Sequence, residues 1–145
     1  LERDDTTIEL IADFVHVHPV ALKIAVGVKG FSKVALITDS LAATGMDDGE
    51  YFLGSEEVVV VQGVARLKRG GNLAGSTLTQ DQALRNMVSI GFEVNDVIRM
   101  LAEVPAAIAG VGHRKGRIEK GFDADLVILD KNLNVNMVFI NGNRY

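Results

Sequence analysis

The sequence of 145 residues contains no cysteine. Disulfide bonds and thiolate metal sites are therefore excluded, and we expect a cytoplasmic protein because a reducing compartment suits such a chain. The sequence also lacks an apolar run of the about 20 residues that span a bilayer. Residues 1–5 lack the basic end and the apolar stretch of a secretory signal. Because the first residue is Leu and not Met, we expect a fragment or a processed chain.

Positive charge is scarce, since 15 Lys and Arg face 19 Asp and Glu, for a net charge of -4. An acidic chain without a basic run is not typical of nucleic-acid-binding proteins, so we expect neither a nucleic acid nor a membrane as a partner. A small anionic substrate stays compatible, because its site needs only local donors. Hydrophobic residues make up 48% of the chain, which suffices for one core.

The first 39 residues carry signals for a strand, a helix and a second strand. Residues 7–14 predict a short apolar strand, Pro19 occupies a typical first helical position, and Gly30 would end the helix. Residues 33–39 form a continuous apolar run, as expected of a strand buried on both faces of a parallel sheet. This order predicts a parallel crossover and an α/β fold. The predicted apolar stripe of the helix consists of Ala21, Ile24, Ala25 and Val28.

The middle of the chain changes to short strands, loops and helices. Residues 51–67 contain four consecutive valines between two glycines, which predicts a hairpin or a small meander. Residues 70–75 form a glycine-rich loop. Thr79 and Gln82 fit a capping box that would begin a helix ending at Gly91. The predicted stripe of this helix consists of Ala83, Leu84, Met87 and Val88.

A further helix and two strands are predicted for the last third of the chain. Asn95 or Asp96 would begin the helix, and Pro105 would restart or kink it. Its predicted stripe consists of Val97, Met100, Leu101 and Val104. Residues 124–130 and 135–140 predict strands, and the Asn-Gly pair behind the second strand predicts a turn.

Polar side chains follow both strands of the predicted parallel pair. Asp39 ends the second strand, and His16 and His18 follow the first. Active-site residues of α/β sheets and barrels collect at the carboxyl ends of parallel strands, which makes these residues candidates. Asp39 is suited to general acid–base work or to metal ligation, but it could equally cap the next turn.

His16 and His18 invite a reading as a metal pair, because His-x-His within a strand places both imidazoles on one face. A complete metal site needs three or four ligands, and this stretch does not supply a full set. The position at the end of a strand favours one functional histidine and one incidental histidine. We therefore assign no metal ligand to this chain.

The glycine-rich segment of residues 70–76 is a third candidate. Small residues allow a close approach of the backbone to a ligand. The segment leads into the helix near Thr79, whose free N–H groups would favour an anion or sugar oxygens, although a plain connector is the alternative. Lys68 and Arg69 predict a solvated edge. Residues 113–115 could attract phosphate, but they favour a surface loop.

Four segments carry a resemblance to a known family. In residues 11–19 an aspartate precedes His16 by three positions, residues 36–40 surround Asp39, and residues 72–79 contain the glycine-rich loop. A broader fourth pattern runs through residues 115–142. In this order and spacing they resemble the N-acetylglucosamine-6-phosphate deacetylase family of the amidohydrolase superfamily, and the resemblance spans nearly the whole chain.

The resemblance implies a fold with a (β/α)8 barrel and a small β-sandwich built from both chain ends. A barrel of this kind needs about 250 residues, so this chain cannot hold a complete one. We expect an α/β chain in which residues 1–116 form the carboxyl-terminal part of the catalytic barrel, with a β-hairpin insertion near residues 51–68. Residues 117–145 would supply the carboxyl-terminal strands of the sandwich.

The resemblance also implies an activity, namely metal-dependent hydrolysis of N-acetylglucosamine 6-phosphate to glucosamine 6-phosphate and acetate. Asp39 matches the catalytic aspartate, which takes a proton from the attacking water and passes it to the departing amine. His16 matches a histidine that contacts the sugar phosphate. The residues matching the sugar-holding loop are Leu73, Ala74, Gly75 and Ser76. The divalent metal, zinc or iron, has most of its ligands outside this chain, and we expect a homodimer.

Three positions depart from the family's pattern. Phe14 stands where the family usually has glycine, so a positive φ there would strain the backbone or move His16. Asn72 and Gln80 replace a common threonine and methionine, and we expect these two changes to be mild. Two alternatives stay open: a superfamily hydrolase that acts on cyclic amides, and a non-catalytic partial barrel that associates with itself. We expect this chain to be inactive alone.

Overall fold

The computed structural model describes Leu1, Arg3 and residues 5–145. The expectation that the first five residues carry no secretory signal includes Glu2 and Asp4, which lie outside the described residues. Within the described part of the chain, none of the helices combines the length and the apolar character that crossing a membrane requires.

A parallel strand pair with one crossover helix opens the fold. Strand β1 (Ile8–Ile11) and strand β2 (Val34–Ile37) pair in parallel, and helix α1 (Pro19–Lys29) connects them. Val34, Ala35 and Leu36 are almost completely buried, which accounts for the continuous apolar run. The predicted strand–helix–strand unit is confirmed. The first strand is shorter than predicted because the chain turns away from the sheet after residue 11.

Helix α1 has the predicted ends but not the predicted buried face. It begins at Pro19 and is followed by Gly30 at a φ of 73°. Its buried residues are Leu22, Ala25 and Val26. The stripe predicted from the sequence was wrong, since Ile24 and Val28 are exposed. Apolar residues occur on several sides of this helix, so its periodicity does not select one face.

The middle of the chain forms an antiparallel meander of strands β3 (Gly49–Leu53), β4 (Glu56–Val61) and β5 (Val64–Leu67). This confirms the meander. Val58 and Val60 are buried, while the residues between and beside them are less so, as expected of a strand with one covered face. The meander has a small core of its own, formed by Leu41, Ala43, Val58, Val60, Ala65 and Ala74.

Helix α2 (Gln80–Ser89) covers the parallel pair and contributes to the main core. Its buried residues are Ala83, Leu84 and Met87. Thr79 is the N-cap, but its side chain makes no capping hydrogen bond, so the predicted capping box was wrong. Gln82 instead donates to Asn86 and accepts from Arg85. The capping box does not form because the hydrogen-bond partners of Gln82 lie along the helix and not at its start.

The next helical segment is continuous but irregular. Helix α3 (Val94–Ile98) leads into a π-helical turn (Arg99–Glu103), which leads into helix α4 (Val104–Ile108). The predicted disturbance at Pro105 is confirmed, since the wider turn ends at Glu103, two residues before the proline that has no N–H to donate. Helix α3 begins at Val94, one residue before the earliest predicted start. Of the predicted stripe, Val97, Met100 and Val104 are buried, and Leu101 is partly buried against the main core.

The carboxyl-terminal strands form a separate antiparallel sheet. Strand β6 (Leu126–Leu129) pairs with β7 (Val135–Ile140), which pairs with β8 (Asn143–Arg144). Asn141 and Gly142 lie at φ values of 50° and 79°, as a two-residue hairpin turn requires, so the predicted turn is confirmed. The chain is thus mixed α/β. Its assignment to a barrel segment and a sandwich, divided at residue 116, stays a prediction.

Candidate functional site

The loop behind β1 is organised by one buried carboxylate. Oδ1 of Asp13 accepts hydrogen bonds from the backbone N–H groups of Val15 and His16, each at 2.9 Å. Oδ2 of Asp13 lies 2.6 Å from Nδ1 of His16. Asn86 of α2 donates to the carbonyl of Ala12 at 2.7 Å and fastens the start of the loop. The sequence therefore folds residues 12–16 into a tight turn that orients one imidazole.

Phe14 lies inside this turn at a φ of 66°. A left-handed conformation costs a non-glycine residue about 1–2 kcal/mol. The side chain of Phe14 packs against the main hydrophobic core, which offsets part of that cost. The position thus has the positive φ that the family's glycine suggested, and His16 is nevertheless held by Asp13.

The charge on Asp13 follows from its surroundings. Burial raises the pKa of its carboxyl group, but the N–H groups of His16 and Val15 and the His16 imidazole outweigh burial and hold the pKa below its usual value. The side chains of Asp13 and His16 are only 13% and 19% exposed. An ionised carboxylate only accepts hydrogen bonds, so Nδ1 of His16 carries a proton and Nε2 is left for a ligand.

The segment behind β2 meets the glycine-rich loop. Asp39 is exposed and has a φ of 51°. Its carbonyl accepts a hydrogen bond from the N–H of Ser76 at 2.7 Å, and the N–H of Leu41 donates to the carbonyl of Ser76 at 3.0 Å. Ser40 and Ser76 form a parallel bridge. The loop therefore extends the edge of the parallel pair at its carboxyl end.

A cavity of about 470 Å³ opens at this edge, within the about 300–1,000 Å³ that ligand pockets occupy. Four of the predicted site residues line it, namely His16, Leu73, Gly75 and Ser76. Ala74 does not line the cavity, because it is buried in the core of the meander. Asp39 is not part of the lining either. It lies on the same edge, joined to the lining through its bond to Ser76.

Several residues of the cavity were missed by the sequence analysis. They are Asp13, Gln62, Thr77, Gln82 and Asn86. An aspartate three positions before a histidine, directly behind a strand, is a signal that could have indicated the pairing of Asp13 with His16. No local signal indicates Gln62, because the meander brings the turn between β4 and β5 to the cavity only in the folded chain.

The described residues do not fit a metal ion. Among them, no three His, Cys, Asp or Glu side chains lie close enough together to hold one. His18 is the N-cap of α1, where its Nδ1 accepts from the N–H of Val20 at 3.2 Å. His16 is paired with Asp13. The two histidines therefore have separate structural partners and do not act as a pair.

The other basic segments are engaged in ion pairs. Arg114 and Lys115 lie 2.8 Å and 2.9 Å from Asp123, and Lys115 also pairs with Asp125. These contacts hold the segment before β6 and account for basic residues that could otherwise have attracted phosphate. Lys68 contacts two glutamates of the meander on an exposed edge, as expected of a solvated cluster.

Comparison with known proteins identifies similar chains. The sequence pattern of the Amidohydrolase family matches residues 5–145. The chain is 40% identical over 144 residues to the N-acetylglucosamine-6-phosphate deacetylase of Bacillus subtilis (strain 168). The aligned region covers 99% of this chain and 36% of that protein. The chain is 43% identical over 136 residues to the putative N-acetylgalactosamine-6-phosphate deacetylase of Escherichia coli (strain K12). This second aligned region covers 93% of this chain and 80% of that protein.

The likeness extends to the backbone. The crystal structure of N-acetylglucosamine-6-phosphate deacetylase from Thermotoga maritima superposes with a TM-score of 0.92 at 38% identity. The match covers 99% of this chain and 39% of that one. The chain thus spans little more than a third of the Bacillus subtilis protein and of this solved structure, but nearly all of it takes part in the match.

Proposed function

Because the chain belongs to the amidohydrolase family, we propose that it forms the carboxyl-terminal part of an amino-sugar-phosphate deacetylase with N-acetylglucosamine 6-phosphate as its first substrate. The reaction is hydrolysis of the acetamide, which releases acetate and glucosamine 6-phosphate. In this proposal residues 1–116 belong to the catalytic barrel and residues 117–145 to the small sandwich. The complete enzyme is active, as a homodimer, and this chain alone is not.

The observation that carries the proposal is the cavity at the carboxyl end of the parallel pair. It collects His16 from the loop behind the first strand and the loop of residues 73–76 from a distant part of the sequence. Asp39 stands on the same edge and is bonded to that loop. Two of the segments that carry the family resemblance thus converge on one cavity, and the third adjoins it.

His16 has the geometry of a residue that binds the phosphate of the substrate. Its Nδ1 is held by Asp13, and its Nε2 is left for a second partner. An imidazole fixed in this way binds a phosphate oxygen without losing the entropy of a mobile side chain. Binding a phosphate oxygen requires a proton on Nε2 as well, because both ring nitrogens must then donate.

Asp39 has the chemistry of the proton carrier. A carboxylate behind a buried strand takes a proton from the water that attacks the acetamide carbonyl. It then delivers this proton to the nitrogen of the sugar as the carbon–nitrogen bond breaks. The divalent metal that the resemblance implies would find most of its ligands outside this chain. This chain's own contribution is therefore proton transfer and sugar binding.

The test of the proposal is Asp39→Asn in the complete enzyme that contains this chain, with acetate release from N-acetylglucosamine 6-phosphate as the measurement. Asparagine keeps the size but cannot carry the proton, so we expect kcat to fall about 100- to 10,000-fold. Asp47→Asn is the matched control, because Asp47 is exposed and is not among the residues that line the cavity. Full activity of Asp39→Asn would overturn the proposal.

N-acetylgalactosamine 6-phosphate is the second candidate substrate, favoured by the 43% identity to the Escherichia coli relative. The two sugars are epimers at C4 and carry the same acetamide and phosphate. Their kcat/KM values, measured side by side with the complete enzyme, decide between them. We expect the glucosamine epimer to be preferred, and the opposite ratio would reassign the substrate. Preferred hydrolysis of a cyclic amide would point to another member of the superfamily.

A further inference from the structure

The backbone conformation of Asp39 needs support from outside its own strand. Its φ of 51° lies in the left-handed region, which few non-glycine residues adopt, although aspartate adopts it more readily than most. Strained residues of this kind persist where the surrounding structure determines them. The contacts around Asp39 therefore show what sets the direction of its side chain.

Ser76 holds the peptide units on both sides of Asp39. The N–H of Ser76 donates to the carbonyl of Asp39 at 2.7 Å. The hydroxyl of Ser76 donates to the carbonyl of Thr38, the residue before it. The orientations of these two peptide planes define φ and ψ of Asp39. One serine thus fixes both backbone angles of the proposed catalytic residue.

The hydroxyl of Ser76 is buried and hydrogen-bonded within the protein. Ser76 is 3% exposed, and its Oγ also accepts the N–H of Leu78 at 3.0 Å. A serine hydroxyl can donate one hydrogen bond, and the carbonyl of Thr38 accepts it. On the other side of the bridge, the hydroxyl of Ser40 donates to the carbonyl of Leu78 at 2.7 Å. A sugar oxygen could accept a hydrogen bond from the Ser76 hydroxyl only if the bond from that hydroxyl to Thr38 were broken.

Gly75 permits the close approach that the network requires. Its φ is 60°, and a Cβ added there would lie 3.1 Å from the carbonyl oxygen of Asp39 and 3.3 Å from Cδ2 of Leu41. The backbone of the loop therefore lies directly against the residue that it supports. Any side chain at this position would press on the carbonyl of Asp39.

From these contacts we propose that Ser76 is a positioning residue, which sets the direction of the Asp39 carboxylate through the backbone. This inference rests on the proposed function of Asp39. The family resemblance implies that the Ser76 hydroxyl contacts the sugar directly. In this inference Ser76 instead acts through the backbone of Asp39. The sugar-holding loop and the proton carrier are then one unit, so that a shift of the loop shifts Asp39.

The test is Ser76→Ala in the complete enzyme, read by steady-state kinetics and by amide hydrogen exchange. We expect kcat to fall about 10- to 100-fold with KM changed less than twofold, because a misplaced carboxylate affects the reaction and not ground-state binding. In this variant we also expect faster exchange of the backbone N–H of residue 76. A raised KM with unchanged kcat would show a sugar contact and overturn the inference. Ser89→Ala is the matched control, since Ser89 is exposed and its hydroxyl also donates to a carbonyl.

Gly75→Ala is the second variant and keeps the hydroxyl of Ser76 in place. Its added methyl group presses on the carbonyl of Asp39, so we expect the same loss in kcat in a folded protein. Unchanged kcat would count against the inference. Rapid exchange of the Ser76 N–H in the unmodified enzyme would overturn it without any substitution.

The inference and the proposed function fail separately. An active Asp39→Asn variant would remove the function of Asp39 and the inference with it. An inactive Asp39→Asn variant beside fully active Ser76→Ala and Gly75→Ala variants would remove only the inference.

Discussion

Phe14 and Asp39 are non-glycine residues in the left-handed conformation, and each lies behind one strand of the parallel pair. Both are supported by hydrogen bonds from elsewhere in the site, Phe14 through the turn around Asp13 and Asp39 through Ser76. Backbone strain of this kind concentrates at functional sites. Two of the five described non-glycine residues with a positive φ therefore lie at the carboxyl edge of the parallel pair.

The sequence predicted the positions of these residues better than their roles. Asp39 and His16 are found behind strands because a continuous apolar run and a following polar residue are local signals. The hydrogen bond from the His16 ring to Asp13 was not predicted, because it depends on a turn in which Phe14 is left-handed. The burial of the Ser76 hydroxyl was missed because Thr38, whose carbonyl accepts its hydrogen bond, lies 38 residues away along the chain.

At the residue scale, we predict that Asp13→Asn weakens substrate binding. The substitution removes the negative charge beside Nδ1 of His16, and a hydrogen bond to a charged group contributes about 1.5–3 kcal/mol. We expect KM for the sugar phosphate to rise about tenfold with little change in kcat, since His16 binds the substrate and does not transfer the proton. Kinetics of the complete enzyme and ¹⁵N NMR of the His16 ring provide the measurements.

Asp47→Asn serves as the control for this prediction, because it makes the same chemical change at an exposed position. An unchanged KM together with an unchanged tautomer of His16 would show that Asp13 does not orient the imidazole.

At the scale of helices and strands, local sequence signals predicted the type and the order of the elements. Tertiary contacts determined which face of each element is buried and where it ends. The meander and the Asn141–Gly142 turn were found because valine runs and Asn-Gly pairs depend on few neighbours. The buried face of α1 was not found, because the helix is apolar on several sides. The capping box at Thr79 was wrong because Gln82 has better partners along its helix.

The sequence did not reveal that a glycine packs against the π-helical turn before Pro105. Gly116 packs against it at a φ of 92°, and a Cβ added to Gly116 would lie 2.8 Å from the carbonyl oxygen of Ala102. The same Cβ would lie 2.9 Å from Cβ of Ala106 and 3.0 Å from Cα of Glu103. A glycine is therefore required at this point to let the chain pass the irregular helix.

We predict that Gly116→Ala is strongly destabilising. The left-handed conformation costs about 1–2 kcal/mol for alanine, and overpacking adds about 1–3 kcal/mol. Gly121→Ala is the matched control, because its φ is 93° but no atom lies within 4 Å of the added Cβ. The free energies of unfolding, measured in urea, should fall more for Gly116→Ala than for Gly121→Ala. Equal losses would show that the contact with the π-helical turn has no cost.

At the scale of the whole molecule, the chain leaves large apolar side chains uncovered. Val20, Ile24 and Val28 form one exposed row on α1, and Ile118 is 91% exposed. Soluble monomers rarely expose contiguous apolar surfaces without a partner for them. These surfaces support the proposal that the chain packs against further protein, as the partial coverage of its relatives also suggests. The sequence could not predict them, because exposure depends on what lies next to each element.

Acid sensitivity is a further property of the whole chain, because several aspartates have a pKa below the usual value. Lys115 is the largest cause at Asp123 and Asp125, and the backbone N–H of Asn134 is the largest cause at Asp130. At Asp13 and Asp81 burial raises the pKa, but hydrogen bonds outweigh it. These groups bind protons more weakly in the folded chain than in the unfolded chain.

We therefore predict that the chain loses stability in acid. A lowered pKa in the folded state stabilises the protein above the unfolded pKa of about 3.9, and this contribution is lost as pH falls through the lower folded values. The melting temperature should stay nearly constant from about pH 6 to pH 7 and fall steeply below about pH 4. High salt should weaken only the part due to the exposed pairs of Lys115, since the Asp13 side chain is mostly buried. A melting temperature that rises between pH 5 and pH 3 would show that these carboxylates do not stabilise the fold.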